Sequence, residues 1–282
     1  METKSYYTSV KEAVQKIRVQ TPICKNDRDC AEVRERFDAL EPSAKEFSIR
    51  TAEGGETVSA RFIMLEAHDA ERAIALNDLV ARGVNNPKVF NSDQEIERNL
   101  NGEGWGFGVT VQDSLVAMVI ISTIPADWEK LVKDSPLADI PACQGAIRDI
   151  VVVRRDFRGN GLQRRLIELA AHCLPKEREH LISTISPNNP ASLISALSAG
   201  CHIVHWGHFY GGRERFLTYM HVRENSPDHV HQLPMLVPLS NTRVNRAMLT
   251  QGYRAIGMEK SEHGLALRYG MRRIAKAQHA HK

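Results

Sequence analysis

The sequence predicts a mixed α/β fold, because strand-like and helix-like segments follow one another along most of the chain. Residues 61 to 66 have the pattern of a strand, and residues 68 to 83 carry apolar side chains at helical spacing. Residues 105 to 111 and 115 to 122 are apolar segments around a short polar turn, which is typical of adjacent antiparallel strands. Residues 147 to 153 are rich in β-branched side chains and predict a strand that runs into a glycine turn.

The alternation continues beyond that turn. We predict a helix over residues 162 to 174, a strand over residues 180 to 185, and a helix over residues 189 to 199 that ends at Gly200. The proline-punctuated segment 125 to 143 is interpreted as an excursion over a site. Further predicted elements are strands at 201 to 205 and 215 to 222, a helix at 242 to 251, and a hairpin-like pair at 255 to 257 and 265 to 269.

The chain divides into three parts by pattern. Residues 1 to 58 are polar and form a predicted N-terminal extension with one helix near residues 27 to 40. Residues 59 to 223 carry the sharp strand and helix patterns, and residues 224 to 282 form a predicted C-terminal α/β extension that packs on the core. The length of 282 residues suits one large domain or two modest ones.

Composition points to a soluble protein. Hydrophobic residues make up 42% and charged residues 25% of the chain, and no apolar run approaches the ~20 residues that span a bilayer. The N-terminus lacks a basic region followed by an apolar stretch, so we expect a cytoplasmic protein with no membrane partner. The five cysteines include no C-x-x-C pair, which fits a reducing compartment.

The turn Arg158-Gly159-Asn160-Gly161-Leu162-Gln163 is the centre of the functional prediction. A strand that turns through glycines into a helix presents unpaired backbone N–H groups and a partial positive charge, which together favour a phosphate group. Glycines also serve ordinary tight turns, so the spacing alone leaves both interpretations open.

This turn resembles the phosphate loop of the GCN5-related N-acetyltransferase (GNAT) superfamily, whose pattern after a strand is R/Q-x-x-G-x-G/A. Arg158 and Gly161 match that pattern, and Gln163 stands where the family has Gly or Ala. Downstream, Asn189 and Ser192 are similar to the family's N-x-x-S/A stretch, although Asn189 before a proline is also a common helix cap. The resemblance covers roughly residues 60 to 223.

The resemblance implies a mixed, largely antiparallel central sheet flanked by helices. It also implies transfer of an acetyl or other acyl group from acetyl-CoA to a primary amine, by direct attack in a ternary complex and with no metal. The implied cofactor-binding residues are Val151 and Val153 through their backbone, the loop residues Arg158, Gly159, Asn160, Gly161, Leu162 and Gln163, and Asn189 and Ser192 beside the pantetheine arm.

Three residues are candidates for proton transfer. Asp149 shares strand parity with Val151, and burial there would make it a stronger base, but it could instead form an ordinary ion pair with a neighbouring arginine. Glu66, at the end of the first strand, is the second candidate base. Many family members carry a tyrosine where this chain has Ala196, so Tyr210 is the candidate acid, unless it only packs under a glycine turn.

Other partners and functions have less support in the sequence. The histidines at 202, 205 and 208 alternate faces on a strand, so we expect no metal site, and His229 with His231 lack evident partner ligands. The net charge of +3 and a basic C-terminal stretch support nucleic acid only weakly. A homodimer is compatible with the sequence. The alternative function is a non-catalytic acyl-CoA sensor or regulatory protein; a nucleotide-binding protein is disfavoured because no P-loop or G-x-G-x-x-G motif occurs.

Overall fold

The structure, a computed structural model, describes residues 26–52, 55–83, 93–223 and 229–272. The helices are α1 Asn26–Asp38, α2 Pro42–Lys45, α3 Ala70–Arg82, α4 Asp93–Arg98, α5 Pro125–Val132, α6 Leu162–Cys173, α7 Pro190–Ser198 and α8 Thr242–Thr250. The strands are β1 Glu46–Arg50, β2 Thr57–Leu65, β3 Gly104–Val111, β4 Ser114–Ser122, β5 Gly145–Val153, β6 His180–Ile185, β7 His202–Phe209, β8 Arg213–His221, β9 His229–Pro238, β10 Tyr253–Ser261 and β11 Gly264–Arg272.

The described strands form one sheet of eleven, in the order β1-β2-β3-β4-β5-β6-β8-β7-β10-β11-β9. The β5–β6 pair is parallel, and the other neighbouring pairs are antiparallel. The predicted mixed α/β class with a largely antiparallel sheet flanked by helices is therefore confirmed.

Strand β4 lies at the centre of the core and is covered on both faces, which explains its unbroken apolar run. Its alternate residues Ala117 and Val119 pack in the same cluster as Leu162 and Leu166 of α6. The residues between them, including Met118, pack in a second cluster with Ala73, Leu76 and Val80 of α3. Two helices on opposite faces thus fix the middle of the sheet.

Both predicted extensions contribute to this sheet. In the N-terminal part, Phe37 of α1 packs 5.5 Å, centroid to centroid, from the ring of Phe107. The sequence did not predict β1, which pairs with β2 from Glu46 opposite Arg61. In the C-terminal part, β10 joins the sheet through Ala255 opposite Ile203 of β7. The division into three domains stays a prediction.

The helix and strand predictions agree with the structure for most of the chain. The strand at 180 to 185 has the predicted bounds, and the helix at 162 to 174 ends one residue earlier, at Cys173. The C-terminal hairpin is longer than predicted. The sequence also predicts a capping box in which Ser92 pairs with Glu95 three residues later, but Ser92 lies outside the described residues.

The segment 125 to 143 is anchored to β5 by Trp128. A side chain at Gly145 would place its Cβ 2.3 Å from the Trp128 ring, so only glycine allows this contact. The indole Nε1 of Trp128 donates to the carbonyl of Ile140 at 3.1 Å. The excursion is therefore a packed part of the fold next to the only parallel strand pair of the described sheet.

Candidate active site

Strands β5 and β6 separate soon after they meet, and this opens a wedge in the sheet. Their parallel pairing covers only Gly145–Ile147 against His180–Ile182. Residues 148 to 153 of β5 and 183 to 185 of β6 lie beyond the last pair. The separated strand ends enclose a cavity of about 140 Å³. It is lined by residues 148 to 152 and 183 to 186 and by Asn77, Gln163, Asn189, Ser192 and Arg215.

The glycine turn leads from β5 into α6 at this wedge. Gly159 and Gly161 have φ angles of +85° and +68°, a left-handed conformation that strongly favours glycine. No side chain caps α6, and the N–H of Arg165 donates to the carbonyl of Gly161 at 3.0 Å. The N–H groups before Arg165 lie in the first turn, where a helix offers them no backbone acceptor. They can therefore bind an anion.

Asn160 holds this turn in place through its side chain. Its Nδ2 donates to the carbonyls of Arg50 and Phe157 at 2.7 and 3.0 Å, and its Oδ1 accepts from the N–H of Arg50 at 2.8 Å. The side-chain amide is thus engaged with β1 and with the turn itself. Any contact of Asn160 with a cofactor would have to be made through its backbone.

The second motif starts helix α7 on the other side of the wedge. The Oδ1 of Asn189 accepts from the N–H of Ser192 at 3.1 Å, so Asn189 is the N-cap of α7 and Pro190 opens the helix. The Nε2 of Gln163 donates to the Oγ of Ser192 at 3.1 Å. The residue that departs from the family pattern therefore connects the two motifs directly.

Asp149 lies in a β-bulge. The β4–β5 register shifts between Ile120 and Ile121, opposite Ile150 and Arg148, which leaves Asp149 as the extra residue. The alternation of side chains between the two faces of β5 is interrupted at the bulge. The prediction that Asp149 and Val151 share one face assumed that this alternation is regular. The carboxylate accepts from the Nδ2 of Asn99 at 3.4 Å.

Arg148 and Arg154, the arginines nearest to Asp149 along the chain, have contacts of their own. Arg154 binds Asp156 with two nitrogens, at distances down to 2.6 Å. The Nη1 of Arg148 donates to the Sγ of Cys201 at 3.7 Å. Asp149 lines the wedge cavity together with Arg148.

Tyr210 lies in the turn between β7 and β8 and contacts a residue of the cavity lining. Its φ of +48° is unusual for a residue with a side chain. Its hydroxyl accepts from the Oγ1 of Thr184, a lining residue, at 3.1 Å, which leaves its own proton available for donation. Tyr210 is 46% exposed, but partial burial still raises its pKa; the hydrogen bond from Thr184 lowers it, and the charges of Asp149 and Glu95 add smaller increases. The hydroxyl therefore stays protonated near neutral pH.

Of the remaining predicted residues, the two valines of β5 lie at the wedge, and Glu66 lies away from it. Val151 and Val153 are half-buried and pack on the α6 cluster. The Nε of Arg158 donates to the carbonyl of Val153 at 3.3 Å. Glu66 lies outside the cavity lining and forms an ion pair with Arg34 at 2.7 Å. It follows β2, three strand spacings or roughly 14 Å from β5.

Sequence reasoning missed several lining residues, among them Thr184 and Arg215. Thr184 lies within a β-branched strand, where nothing marks it as functional. Arg215 had a usable signal, because it is a charged residue next to the buried pair Phe216 and Leu217 of β8.

The described residues contain neither a cluster of metal ligands nor a helix that could cross a membrane. No group of three or more His, Cys, Asp or Glu side chains within these ranges is arranged to hold a metal ion. The side chains of His229 and His231 are outside what the structure describes. No described helix combines the length and the apolar character that crossing a membrane requires.

The structure is similar to solved acetyltransferase structures. An acetyltransferase of the GNAT family from Streptococcus pneumoniae is 15% identical, over 57% of this chain and 98% of that one, with a TM-score of 0.43. The ribosomal-protein-S18-alanine N-acetyltransferase of Escherichia coli is 16% identical, over 60% and 97%, with a TM-score of 0.43. The diaminobutyrate acetyltransferase of Paenibacillus lautus, solved with its substrate and coenzyme A, is 14% identical, over 60% and 99%, also at 0.43. No protein-family model and no curated protein matches the chain.

Proposed function

We propose that the chain is an acyl-CoA-dependent N-acyltransferase of the GCN5-related kind that transfers an acetyl group to a primary amine. The observation that carries the proposal is the wedge between β5 and β6, which is lined by residues of both motifs. An ordinary tight turn would explain the glycines, and a helix cap would explain Asn189. Neither explains why the two motifs meet across an opened strand pair.

In this proposal the diphosphate of CoA lies at the start of α6. The turn of residues 158 to 163 supplies backbone N–H groups and the positive end of the helix dipole. The pantetheine arm then follows the backbone of Val151 and Val153, which β6 leaves uncovered. An amide chain can hydrogen-bond to such a strand as an added strand would. Asn189 and Ser192 border the arm on the far side.

The reaction requires a neutral amine and a proton for the leaving thiolate. The amine nitrogen attacks the thioester carbonyl, so a C–N bond forms and the C–S bond breaks. Asp149 accepts the proton of the amine, and Tyr210 donates its hydroxyl proton to the CoA thiolate. The pKa of Tyr210 is raised, so its hydroxyl is protonated at neutral pH and carries a proton that it can donate. Glu66 has no part in this mechanism.

The proposal is tested by calorimetry of acetyl-CoA against the wild type, Gly161→Glu and Gly161→Gln. A Cβ at Gly161 meets no atom within 4 Å, so both variants share the same backbone strain and differ only in charge. A carboxylate about 4 Å from a phosphate charge costs roughly 4 kcal/mol near a protein surface. We expect Gly161→Glu to lose at least ~100-fold in affinity and Gly161→Gln to lose no more than ~10-fold.

Two results would contradict the proposal. A wild-type chain that does not bind acetyl-CoA has no cofactor site of this kind. A chain that binds acetyl-CoA but acetylates no amine of a broad panel would be the non-catalytic sensor instead. Turnover is measured here as the appearance of free CoA thiol.

A further inference from the structure

A second, larger cleft adjoins the wedge. It has a volume of about 790 Å³, within the range of small-molecule sites. One wall comes from β7 and β8 with Trp206, Arg213 and Arg215, and the other from the C-terminal part of the chain, including Leu239 and His263. Arg215 and Ser186 line both the cleft and the wedge cavity. A molecule in the cleft can therefore reach the wedge past Arg215.

Arg215 is a buried arginine without an ion pair among the described residues, which is unusual for this side chain. Its exposure is 8%, and no ion pair among the described residues includes it. Its guanidinium lies 5.6 Å from the ring centroid of Tyr210, which contributes a cation–π contact but does not neutralise the charge. A buried charge without a counter-charge is costly, and burial accordingly lowers the pKa of Arg215. An anionic ligand would remove that cost.

Two other buried arginines have hydrogen-bond acceptors, and one of these acceptors is a carboxylate. Arg178, 2% exposed, binds Asp29 at 2.7 Å and also donates to backbone carbonyls. Arg148, 3% exposed, donates to the Sγ of Cys201 and lines only the wedge. Arg215 differs from both because it has a ring contact and borders two cavities.

The charges of the cleft favour an anion as well. Its lining holds Arg213 and Arg215 against the single carboxylate of Glu214. Glu214 is itself bound by Arg246, which stacks 5.1 Å from the ring centroid of Trp206. The cleft therefore has a net positive lining. Asp149 lines the adjoining wedge together with Arg215, and its negative charge favours a singly charged anion over a phosphate dianion at this end of the cleft.

We propose that Arg215 binds a carboxylate of the acceptor, so that the acceptor is an amine with a free carboxylate, such as an amino acid or a short peptide. A guanidinium matches a carboxylate with two parallel hydrogen bonds. The carboxylate held at Arg215 fixes the acceptor in the cleft, and its amine points into the wedge toward Asp149. This inference rests on the proposed function and assigns its acceptor class.

The test compares amines with and without a carboxylate: L-lysine with cadaverine, L-phenylalanine with phenethylamine, and triglycine with its C-terminal amide. The proteins are the wild type, Arg215→Met and Arg254→Met. Arg254 is a matched control, because it also stacks 5.6 Å from a tyrosine centroid, that of Tyr219, and burial also lowers its pKa. It lines neither cavity.

We expect the wild type to use a carboxylate-bearing amine with a kcat/KM at least ~100-fold above its partner, since a site built for a polar group rejects the analogue that lacks it. Arg215→Met should reduce that ratio to within about 3-fold, and Arg254→Met should keep it. Calorimetry of the same pairs in the presence of CoA should show the same preference without turnover.

A measurement of acetyl-CoA binding distinguishes a failure of the proposed function from a failure of the proposed acceptor class. If the wild type binds no acetyl-CoA, the proposed function is wrong and this inference falls with it. If acetyl-CoA binds and the paired amines are used equally, or none is used, the acceptor class is wrong while the cofactor site stands. Preference for phosphoethanolamine over every carboxylate would also overturn it.

Discussion

The two strand-to-helix turns that meet at the wedge begin their helices in opposite ways. Helix α6 follows Gly161, which has a left-handed backbone and no capping side chain. Helix α7 follows Asn189, whose side chain accepts from the N–H of Ser192, with Pro190 in the first helical position. Helix α8, away from the wedge, begins like α7, with Asn241 accepting from Val244.

The difference shows which helix end is built for a ligand. A capping asparagine satisfies one of the first-turn N–H groups, and proline removes another. The glycine turn does neither, and its glycines keep side chains away from the space in front of the helix. Of these two similar strand-turn-helix units, the one at α7 has a capped helix start, and the one at α6 leaves its first N–H groups free to bind a ligand. This difference predicts that donor binding depends on α6, that proton transfer depends on neither turn, and that α7 contributes modestly.

The largest effect expected beyond the cofactor site is at Tyr210. Tyr210→Phe removes the proposed proton donor, and we expect kcat to fall by at least ~100-fold while the Kd of acetyl-CoA changes less than about 2-fold. The matched control is Tyr219→Phe, which removes a buried hydroxyl that contacts the Nδ1 of His180 at 3.0 Å. Steady-state kinetics and calorimetry measure both quantities.

The pH profile adds a second measurement for Tyr210. Its pKa is raised above the ordinary value of 10.0, so the donor stays protonated at all lower pH values. The loss in Tyr210→Phe should therefore be constant between about pH 7 and pH 9. A loss confined to low pH, or an equal loss in Tyr219→Phe, would remove Tyr210 from the mechanism.

A smaller effect separates the two asparagine caps. Asn189→Ala and Asn241→Ala each remove a cap bond, at 3.1 and 3.2 Å, and each should lower the free energy of unfolding by about 1 kcal/mol. Asn189 lines the wedge cavity and Asn241 lies outside its lining. We therefore expect Asn189→Ala to weaken acetyl-CoA binding by about 3- to 10-fold and Asn241→Ala to leave it unchanged.

Denaturant unfolding and calorimetry on both variants show whether Asn189 contributes to acetyl-CoA binding beyond its role as a helix cap. Equal losses of affinity would mean that global stability controls binding. No loss at Asn189 would make that residue purely a cap, which was the competing interpretation of its sequence.

Much of this site could be predicted because it depends on local patterns. The strand before the glycine turn, the helix after it and the cap at Asn189 follow from residues within a few positions of each other. The bulge at Asp149 could not be predicted, since it results from the register of β5 against β4. The carboxylate consequently contacts Asn99, which lies far away in the sequence.

Contacts between residues that are distant in the sequence also explain why strand β1 and the cleft next to Arg215 were not predicted. Strand β1 is short, and it is held by its pairing with β2 and by two hydrogen bonds between Arg50 and Asn160, which lies over a hundred residues away in the sequence. The cleft next to Arg215 depends on the pairing of β10 with β7, which no local pattern encodes. Arg215 could be seen as a charged residue next to the apolar pair Phe216 and Leu217, but only the fold shows that two cavities meet at it.

The smallest expected effect concerns the bond between the two turns. Gln163 donates to Ser192 at 3.1 Å across the wedge, in the position where the resembling family has Gly or Ala. If this bond holds the α7 start against the α6 start, Gln163→Ala should weaken acetyl-CoA binding by about 2- to 3-fold. A double-mutant cycle with Ser192→Ala should give a coupling of roughly 0.5–1 kcal/mol in the free energy of unfolding. Tighter binding by Gln163→Ala would reverse the interpretation, because it would mean that the long side chain crowds the diphosphate rather than supporting its site.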